Sequence, residues 1–392
     1  MKLKGVLLIL LAFFMPLSVF VADIVVFLCV AVWVLEGDLI IKWNKIISSQ
    51  WLLSLIFLIT LYFLGLLWGT HHQQAGWIIQ KTLLLLLLPI LYTFDFNQNQ
   101  IKLSVYAFLS STTLTAIIAI LINLGCIKHL FKYSSVFNKN WNNPAVMAYT
   151  DHNMFLSFVI LICLLMLLNN FKNLRYLIIL SFILITSIFS IYGEMGRSGI
   201  ITFICISILF ILLVFRKNMF KMMICFIVII AVNGLAFLFS DTFKNRIETT
   251  QLQLEKLDKK YKNSINTRYF LYQYTFEKIK EKPILGYGTG SFFQEISSIS
   301  DHAKIILNNQ HRTPHNNFLF LWFELGFIGL IILVLMFFFQ LKAYHNLNQG
   351  YFRMIFPIVF FISMFFDTYL QNHNTTLLYC YLSYICYSYS FK

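Results

Sequence analysis

Apolar residues form long runs along most of this chain, with short polar segments between them. A helix that crosses a membrane needs about 20 mostly apolar residues, and ten runs of roughly that length follow residue 50. They occupy 51–67, 77–94, 103–124, 152–168, 175–193, 199–215, 222–240, 318–341, 351–366 and 375–391. The pattern predicts an all-α polytopic membrane protein.

An apolar stretch from Gly5 to Leu35 precedes these runs, and it is long for one span and short for two. Pro16 divides it and removes a helical hydrogen-bond donor, so we predict two short or tilted helices. The total is then twelve spans, with eleven as the fallback. A secretory signal is the alternative, since Lys2 and Lys4 precede the apolar core. No convincing small-x-small cleavage site follows before Asp23, which favours a retained helix.

Composition supports this class of protein. Of the 392 residues, 59% are hydrophobic and 12% charged, with a mean hydropathy of +0.75, whereas soluble domains carry about 25% charged residues. The formal net charge of +14 does not indicate nucleic-acid binding, because that would require a basic face on a soluble fold. Seven cysteines without C-x-x-C spacing indicate neither a disulfide framework nor a thiolate metal site.

The distribution of basic residues predicts the orientation, because short cytoplasmic loops are rich in Lys and Arg. On the twelve-span topology, thirteen basic residues lie inside, against five in short outer loops. The inner ones are Lys2, Lys4, Lys42, Lys45, Lys102, Lys172, Arg175, Arg216, Lys217, Lys221, Lys342, Arg353 and Lys392, and the outer ones are Lys81, Lys128, Lys132, Lys139 and Arg197. Both termini are therefore predicted to be cytoplasmic.

The chain divides into three parts on this topology. Residues 1–240 form an N-terminal bundle of about nine helices, 241–315 form a long periplasmic helical loop, and 316–392 form about three C-terminal spans. The loop begins with a charged helix over 245–262. A cluster of glycines over 286–290 lacks the G-x-x-x-x-G-K-[ST] pattern of a phosphate loop, and we interpret it as a tight turn.

A second helix of the loop, over 266–282, is predicted to be amphipathic. Tyr269, Tyr272, Phe276 and Ile279 follow one another at helical spacing. An aromatic stripe beside lysines suits a helix in the lipid headgroup layer. Packing of the same stripe on the membrane domain, as a small periplasmic cap, is an equal alternative.

Four polar residues fall at membrane edges that this topology places on the periplasmic side. They are Arg197, Arg268, His315 and Asp367. Two guanidinium groups, an imidazole and a carboxylate at one face suggest a site for a phosphate-bearing lipid substrate, because the arginine fork binds two phosphate oxygens at once.

Several short motifs around these residues carry a family resemblance, although each is weak alone. They are Gly196-Arg197-Ser198-Gly199, Arg268-x3-Tyr272 ahead of 282–288, Pro314-His315-Asn316-Asn317-Phe318-Leu319, and Glu324-Leu325-Gly326-Phe327-Ile328-Gly329. In order, spacing and placement around one long outer loop, the chain resembles the O-antigen ligase and polymerase superfamily over roughly residues 190–340. Asp367 resembles an acidic position in the last outer loop of the ligase branch, which favours a ligase.

The resemblance implies a GT-C-like fold and glycosyl transfer at the outer face of the inner membrane, without a metal or other cofactor. It implies a glycan on undecaprenyl diphosphate as the donor and the lipid A core oligosaccharide as the acceptor. On the residues' own chemistry, Arg197 and Arg268 would stabilise charge on the diphosphate. His315 would be the general base, because imidazole titrates closest to neutral pH.

Other polar residues are assigned supporting roles. Asp367 would orient His315 or hold an arginine, and Glu324 would support the site from the last motif. His311 and His315 have the H-x-x-x-H spacing of a metal pair, but Pro314 argues against one helix that would face both rings together.

Two other functions stay open. An O-antigen polymerase or a protein O-oligosaccharyltransferase would share the donor and differ in the acceptor. A flippase or other transporter would place ionisable groups near the bilayer midplane, whereas this sequence collects them at one edge. The predicted partners are thus the two lipid-linked glycans and membrane lipids, with no nucleic acid.

Overall fold

The structure, a computed structural model, describes residues 3–69, 72–127, 146–194, 196–255, 264–297, 313–347 and 351–389. Within those ranges the chain is helical and has no β-strand, which confirms the predicted all-α class. The helices are α1 (Leu3–Phe14), α2 (Val19–Leu35), α3 (Leu39–Ile47), α4 (Gln50–Leu64), α5 (His72–Leu83), α6 (Leu87–Thr93), α7 (Gln98–Asn123), α8 (Tyr149–Asn170), α9 (Leu174–Gly193), α10 (Arg197–Val214), α11 (Met219–Phe239), α12 (Asp241–Glu255), α13 (Ser264–Glu281), α14 (Phe292–Ser297), α15 (Asn317–His345), α16 (Ile355–Ser363) and α17 (His373–Ser388).

Seven segments of the described chain are long and apolar enough to cross a membrane. They are α7, α8, α9, α10, α11, α15 and the continuous stretch Gln74–Thr93. The pair α2 and α3 would add an eighth, but the two helices meet at a bend of 112°. The protein is therefore a multi-pass membrane protein, and the number twelve stays a prediction.

The first apolar stretch forms two helices, as predicted. Helix α1 ends at Phe14 and α2 begins at Val19, with Pro16 in the turn between them. The Ser18 hydroxyl accepts a hydrogen bond from the Val21 amide at 3.4 Å and caps α2. Proline thus ends the first helix and a serine starts the second, as the sequence indicates.

Helix α3 is an element that the hydropathy pattern did not predict. The side chains of Ile40 and Ile41 are 77% and 67% exposed, while Lys42 is buried. The Lys42 ammonium donates to the Trp33 carbonyl at 2.6 Å and lies 3.2 Å from Glu36. Isoleucines outward and a lysine inward fit a short helix that lies along the membrane edge.

The predicted spans at 351–366 and 375–391 are shorter than expected. Helix α16 has nine residues after a 3₁₀ turn, Tyr351–Met354, and α17 has sixteen. The chain leaves α16 at Met364 because its carbonyl accepts the Asn317 amide at 2.9 Å, which joins this turn to the start of α15. A loop over 364–372 therefore replaces the expected helical residues.

Burial differs sharply between central and outer helices. In α8, 83% of the most apolar window is buried within the protein, whereas in α11 none of it is. Phe220 and Phe239 of α11 are 74% and 83% exposed. Large apolar side chains on the outside of a helix bundle are expected to contact lipid, since a soluble protein rarely exposes such a surface.

Helix α13 does not bury the predicted aromatic stripe. Its buried positions include Leu271, Thr275 and Ile279, spaced by four residues, and it packs on α15. Tyr269 and Phe276 are 57% and 45% exposed. The exposure of these two rings disfavours the alternative in which the whole stripe packs on the membrane domain, although the Phe276 ring still contacts the Trp322 ring of α15, with centroids 6.2 Å apart. The predicted helix itself is confirmed, and its place in the lipid headgroup layer stays a prediction.

The helix ends form two groups. At the first, which we call the lysine end, Lys4 pairs with Glu36, Lys45 lies 3.5 Å from Asp95, and Arg353 binds carbonyls of α17. The second, which we call the arginine end, contains the starts of α8, α10 and α15. The helix ends in each group are ones that the predicted twelve-span topology places on the same side of the membrane.

Candidate active site

His315 occupies a constrained turn just before α15. Its φ of 54° lies in the left-handed region, which is uncommon for a residue other than glycine. The Asn316 side chain caps α15 by accepting the Phe318 and Leu319 amides at 2.9 and 3.1 Å. The Tyr272 hydroxyl donates to the His315 carbonyl at 3.0 Å. A strained backbone of this kind persists only where its surroundings fix it, and such positions cluster at functional sites.

Asp367 fixes one side of the His315 ring. Its Oδ1 lies 3.1 Å from His315 Nδ1 and also accepts the Thr368 amide at 2.8 Å. Burial raises the pKa of the Asp367 carboxyl, but His315, Arg268 and the Thr368 N–H together outweigh this effect and lower it. The group is therefore a carboxylate near neutral pH. With Nδ1 directed at Asp367, Nε2 is the nitrogen on the other side of the ring.

The arginines lie next to this pair. Arg268 donates from Nη1 to the Phe366 carbonyl at 3.0 Å, one residue before Asp367, and interacts with the Asp367 charge. Arg197 interacts with the charge of Arg268 and donates from Nη2 to Gln253 Oε1 at 2.8 Å. The structure thus brings Arg197, Arg268, His315 and Asp367 together at the arginine end. Their chemical roles stay predictions.

A buried polar contact positions the turn before Arg197. His152 Nδ1 lies 2.6 Å from Glu194 Oε1, and both side chains are inaccessible to solvent. Ser190 donates to the same carboxylate oxygen at 3.1 Å. The sequence motif around Arg197 contributes its two glycines, because a Cβ at Gly196 or Gly199 would collide with Asn153 of α8.

Glu324 supports the glycine-rich turn through direct hydrogen bonds. Its Oε1 accepts the Gly290 amide at 3.1 Å, and its backbone carbonyl accepts the Gly288 amide at 2.8 Å. Gly326 breaks the helical geometry of α15 with a φ of 66°, where a Cβ would collide with Ile284. The predicted tight turn therefore fits against a kink in α15. Among the described residues, Glu324 holds this joint together and contacts neither His315 nor the arginines.

Arg246 is a residue that the sequence analysis missed. It lies on α12, in the segment predicted as a charged helix, and it interacts electrostatically with Arg197 and Arg268. Burial and the nearby charge of Arg268 lower its pKa, although the Tyr149 phenol opposes them. The available signal was the face that Phe243, Arg246 and Gln253 share at helical spacing.

A polar cluster lies beside Asp367. Asp151 is buried, interacts with the Asp367 charge, and accepts long hydrogen bonds from the Asn372 and Asn374 amides at 3.5 and 3.4 Å. His373 Nε2 lies 2.5 Å from Asp23. These residues come from three segments, and no short motif joins them. Tertiary contacts alone assemble the cluster.

Metal binding by the histidine pair is outside what the structure describes, because His311 lies outside the described residues. Among the residues that are described, no three His, Cys, Asp or Glu side chains form a metal-binding group. The expectation of a metal-independent reaction remains a prediction for experiment.

Known proteins resemble part of the chain. Residues 182–334 match the O-Antigen ligase family model. A "Putative polysaccharide ligase" of Rickettsia conorii is 34% identical over 113 residues, which is 27% of each chain. Another from Rickettsia felis is 32% identical over 111 residues, which is 26% of this chain and 27% of the relative. The matches span about a quarter of those relatives' length.

These similarities confirm the resemblance to the O-antigen ligase superfamily. The matched family segment includes Arg197, Arg246, Arg268, His315 and Glu324, and it ends before Asp367. The chain therefore contains a segment that matches the O-Antigen ligase family model, within a multi-pass helical membrane protein.

Proposed function

We propose that the protein is a glycosyltransferase of the O-antigen ligase type. It moves a glycan from undecaprenyl diphosphate to the lipid A core oligosaccharide at the periplasmic face of the bacterial inner membrane. The observation that carries this proposal is the meeting of Arg197 and Arg268 with the His315–Asp367 pair at one end of the bundle. The family match over residues 182–334 supports the same conclusion.

The reaction assigns a role to each of these groups. An acceptor hydroxyl oxygen attacks the anomeric carbon, and the bond from that carbon to the diphosphate oxygen breaks. The electron pair of that bond stays on the diphosphate, which gains negative charge. Arg197 and Arg268 stabilise this charge through two-pronged hydrogen bonds in a partly dehydrated site.

His315 accepts the hydroxyl proton at Nε2 in this scheme. The Asp367 carboxylate, 3.1 Å from Nδ1, stabilises the imidazolium that forms and keeps the ring oriented. Two guanidinium groups placed to neutralise a leaving diphosphate supply the charge stabilisation that a divalent cation supplies in other phosphate chemistry. We therefore propose a metal-independent reaction.

Two alternatives share parts of this arrangement. An O-antigen polymerase or a protein O-oligosaccharyltransferase would use the same donor site with a different acceptor. A lipid-linked glycan flippase is less favoured, because transporters place ionisable groups at the bilayer midplane. Here Arg197, Arg268, His315 and Asp367 collect where α8, α10 and α15 begin.

The test is transfer of labelled glycan by purified protein. Undecaprenyl-diphosphate-linked glycan is offered with lipid A core, with a second lipid-linked glycan, or with a pilin-like protein as separate acceptors. We expect product when lipid A core is the acceptor, and no product with the other two acceptors. Product with the second glycan or with the protein would assign one of the alternatives. Movement of the donor across vesicle membranes without transfer to any acceptor would overturn the enzyme proposal.

A further inference from the structure

Helix α12 presents one side to the candidate active site. Phe243, Arg246 and Gln253 are three and seven residues apart, so their side chains share a face. Phe243 packs edge-on against the Tyr192 ring at 4.9 Å between centroids, and the Ser240 hydroxyl donates to the Tyr192 carbonyl at 2.8 Å. These contacts fix the start of α12 against the end of α9.

The two polar residues on this face reach the arginines of the site. Gln253 Oε1 accepts a hydrogen bond from Arg197 Nη2 at 2.8 Å. Arg246 interacts electrostatically with Arg268 and Arg197. One helix therefore orients one arginine of the site and adds another.

Three guanidinium groups close together repel one another, and this arrangement is costly unless an anion offsets it. Among the described residues, no carboxylate lies within salt-bridge distance of Arg197, Arg246 or Arg268. The buried Nε atoms of Arg197 and Arg246 have no hydrogen-bond partner in the described protein. Buried donors of this kind cost free energy until they are satisfied. The cluster is thus built for an anion with several acceptor oxygens.

We propose that Arg246 is a third phosphate-binding arginine, and that Arg197, Arg246 and Arg268 together select a lipid diphosphate over a lipid monophosphate. The proposal rests on the proposed function for the identity of the lipid. A monophosphate presents one phosphoryl group, which two arginine forks can engage. A diphosphate presents a second group and more charge, and this gives the third fork its partner.

The test measures binding to the purified full-length protein in lipid nanodiscs, with farnesyl diphosphate and farnesyl monophosphate as the probes. We expect the wild type to bind the diphosphate more tightly. Arg246→Gln should weaken diphosphate binding about 10- to 100-fold, the range for one charged hydrogen-bonding group, and should change monophosphate binding by less than about threefold. The diphosphate affinity of Arg246→Lys should lie between those of the wild type and Arg246→Gln, because an ammonium keeps the charge without the fork.

A matched control lies on the same helix. Lys244 is exposed and faces away from the cluster, so Lys244→Gln removes an equal charge and should leave both affinities unchanged. Thermal unfolding without ligand separates a binding role from a structural one. Arg246→Gln should keep or raise the unfolding temperature, because it relieves repulsion between like charges.

Diphosphate binding by Arg246→Gln equal to that of the wild type would overturn the inference, as would equal losses for both probes or for Lys244→Gln. A lowered unfolding temperature together with lost binding would also overturn it, in favour of a structural role. Failure of the proposed function looks different. In that case the wild type would transfer glycan to no acceptor, while the preference for diphosphate and its dependence on Arg246 would remain.

Discussion

The two ends of the helix bundle treat positive charge in opposite ways. At the lysine end, Lys42 lies 3.2 Å from Glu36, and Lys45 lies 3.5 Å from Asp95. At the arginine end, the charges that act on Arg197 and Arg246 are those of other arginines and of Tyr149. Lys42 and Lys45 are thus paired with carboxylates of the protein. Cations left crowded together indicate a substrate that brings the negative charge.

Arg353 shows what an arginine does when its role is structural. It is buried, and its two terminal nitrogens donate to the Tyr387 and Tyr389 carbonyls, each at 2.7 Å. These carbonyls belong to the C-terminal end of α17, where helix carbonyls lack internal partners and attract positive charge. Arg353 thus caps the end of α17 with both terminal nitrogens. Arg268 binds the Phe366 carbonyl through Nη1 only.

The comparison depends on the lysine end facing the cytoplasm and the arginine end facing the periplasm. We expect single cysteines introduced at Lys217 and Lys244 to be labelled only from the cytoplasm and only from the periplasm, respectively. The outcome is all-or-none and is read with a membrane-impermeant maleimide on whole cells and on inverted vesicles. Labelling of Lys244→Cys from the cytoplasmic side would contradict the proposed donor and acceptor together, because both are proposed to bind at the periplasmic face.

The next largest effect is expected at His315. His315→Ala should slow glycan transfer about 10²- to 10⁴-fold, the usual contribution of a positioned general base. His345→Ala at the lysine end is the matched control and should leave the rate unchanged. His311→Ala should cost much less than His315→Ala.

The same transfer assay tests the metal-independent reaction with a chelator present. We expect the wild-type rate to be unaffected. Activity that the chelator abolishes and a divalent cation restores, or a larger loss at His311 than at His315, would contradict the proposed mechanism.

Arginine-to-lysine substitutions sharpen the contrast between the ends. Arg197→Lys and Arg268→Lys should each lower transfer at least about tenfold with normal accumulation, because a point charge does not reproduce a two-pronged contact. Arg353→Lys should do the reverse, with a lower unfolding temperature and an unchanged rate per folded molecule. Near-full activity in either of the first two variants would remove that residue from the site.

The smallest expected effect concerns pH and Asp367. Its pKa is lowered in the folded protein, so its ionised form stabilises the native state at any pH above the unfolded value of about 3.9. This stabilisation is lost only as the pH falls through the still lower folded value. The wild type should therefore unfold at a higher temperature than Asp367→Asn from about pH 8 to about pH 5, and the difference should begin to shrink below about pH 4 and disappear only below the folded pKa. Its loss already between pH 7 and 5 would show that Asp367 protonates near neutrality.

Hydropathy predicted the helical class and most long helices well, because a spanning helix must satisfy its backbone internally and be apolar outside. It was less successful near the ends of the chain. The nine-residue α16 and the edge helix α3 depend on contacts with Asn317 and Trp33, which are far away or on another helix. No periodicity in the local sequence carries that information.

The residues of the candidate site likewise divide into those that local sequence identifies and those that only the fold identifies. Arg197, Arg268 and His315 could be found from the sequence because each lies in a short motif at a membrane edge. Arg246 could not be singled out, since it is one of twelve basic residues between 241 and 315. Its place beside Arg197 depends on how Phe243 and Ser240 dock α12 against Tyr192.

Residue type and spacing were enough to specify an all-helical membrane protein and to select the groups proposed to bind a diphosphate, because hydrophobic length and side-chain chemistry are local properties. Only the folded chain decided that Asp367 faces His315, that Asp151 lies beside Asp367, and that Arg246 joins the other arginines. These contacts join residues from α8, α12, the start of α15 and the loop before α17. Which of them meet depends on how the helices pack, and that is a property of the whole bundle.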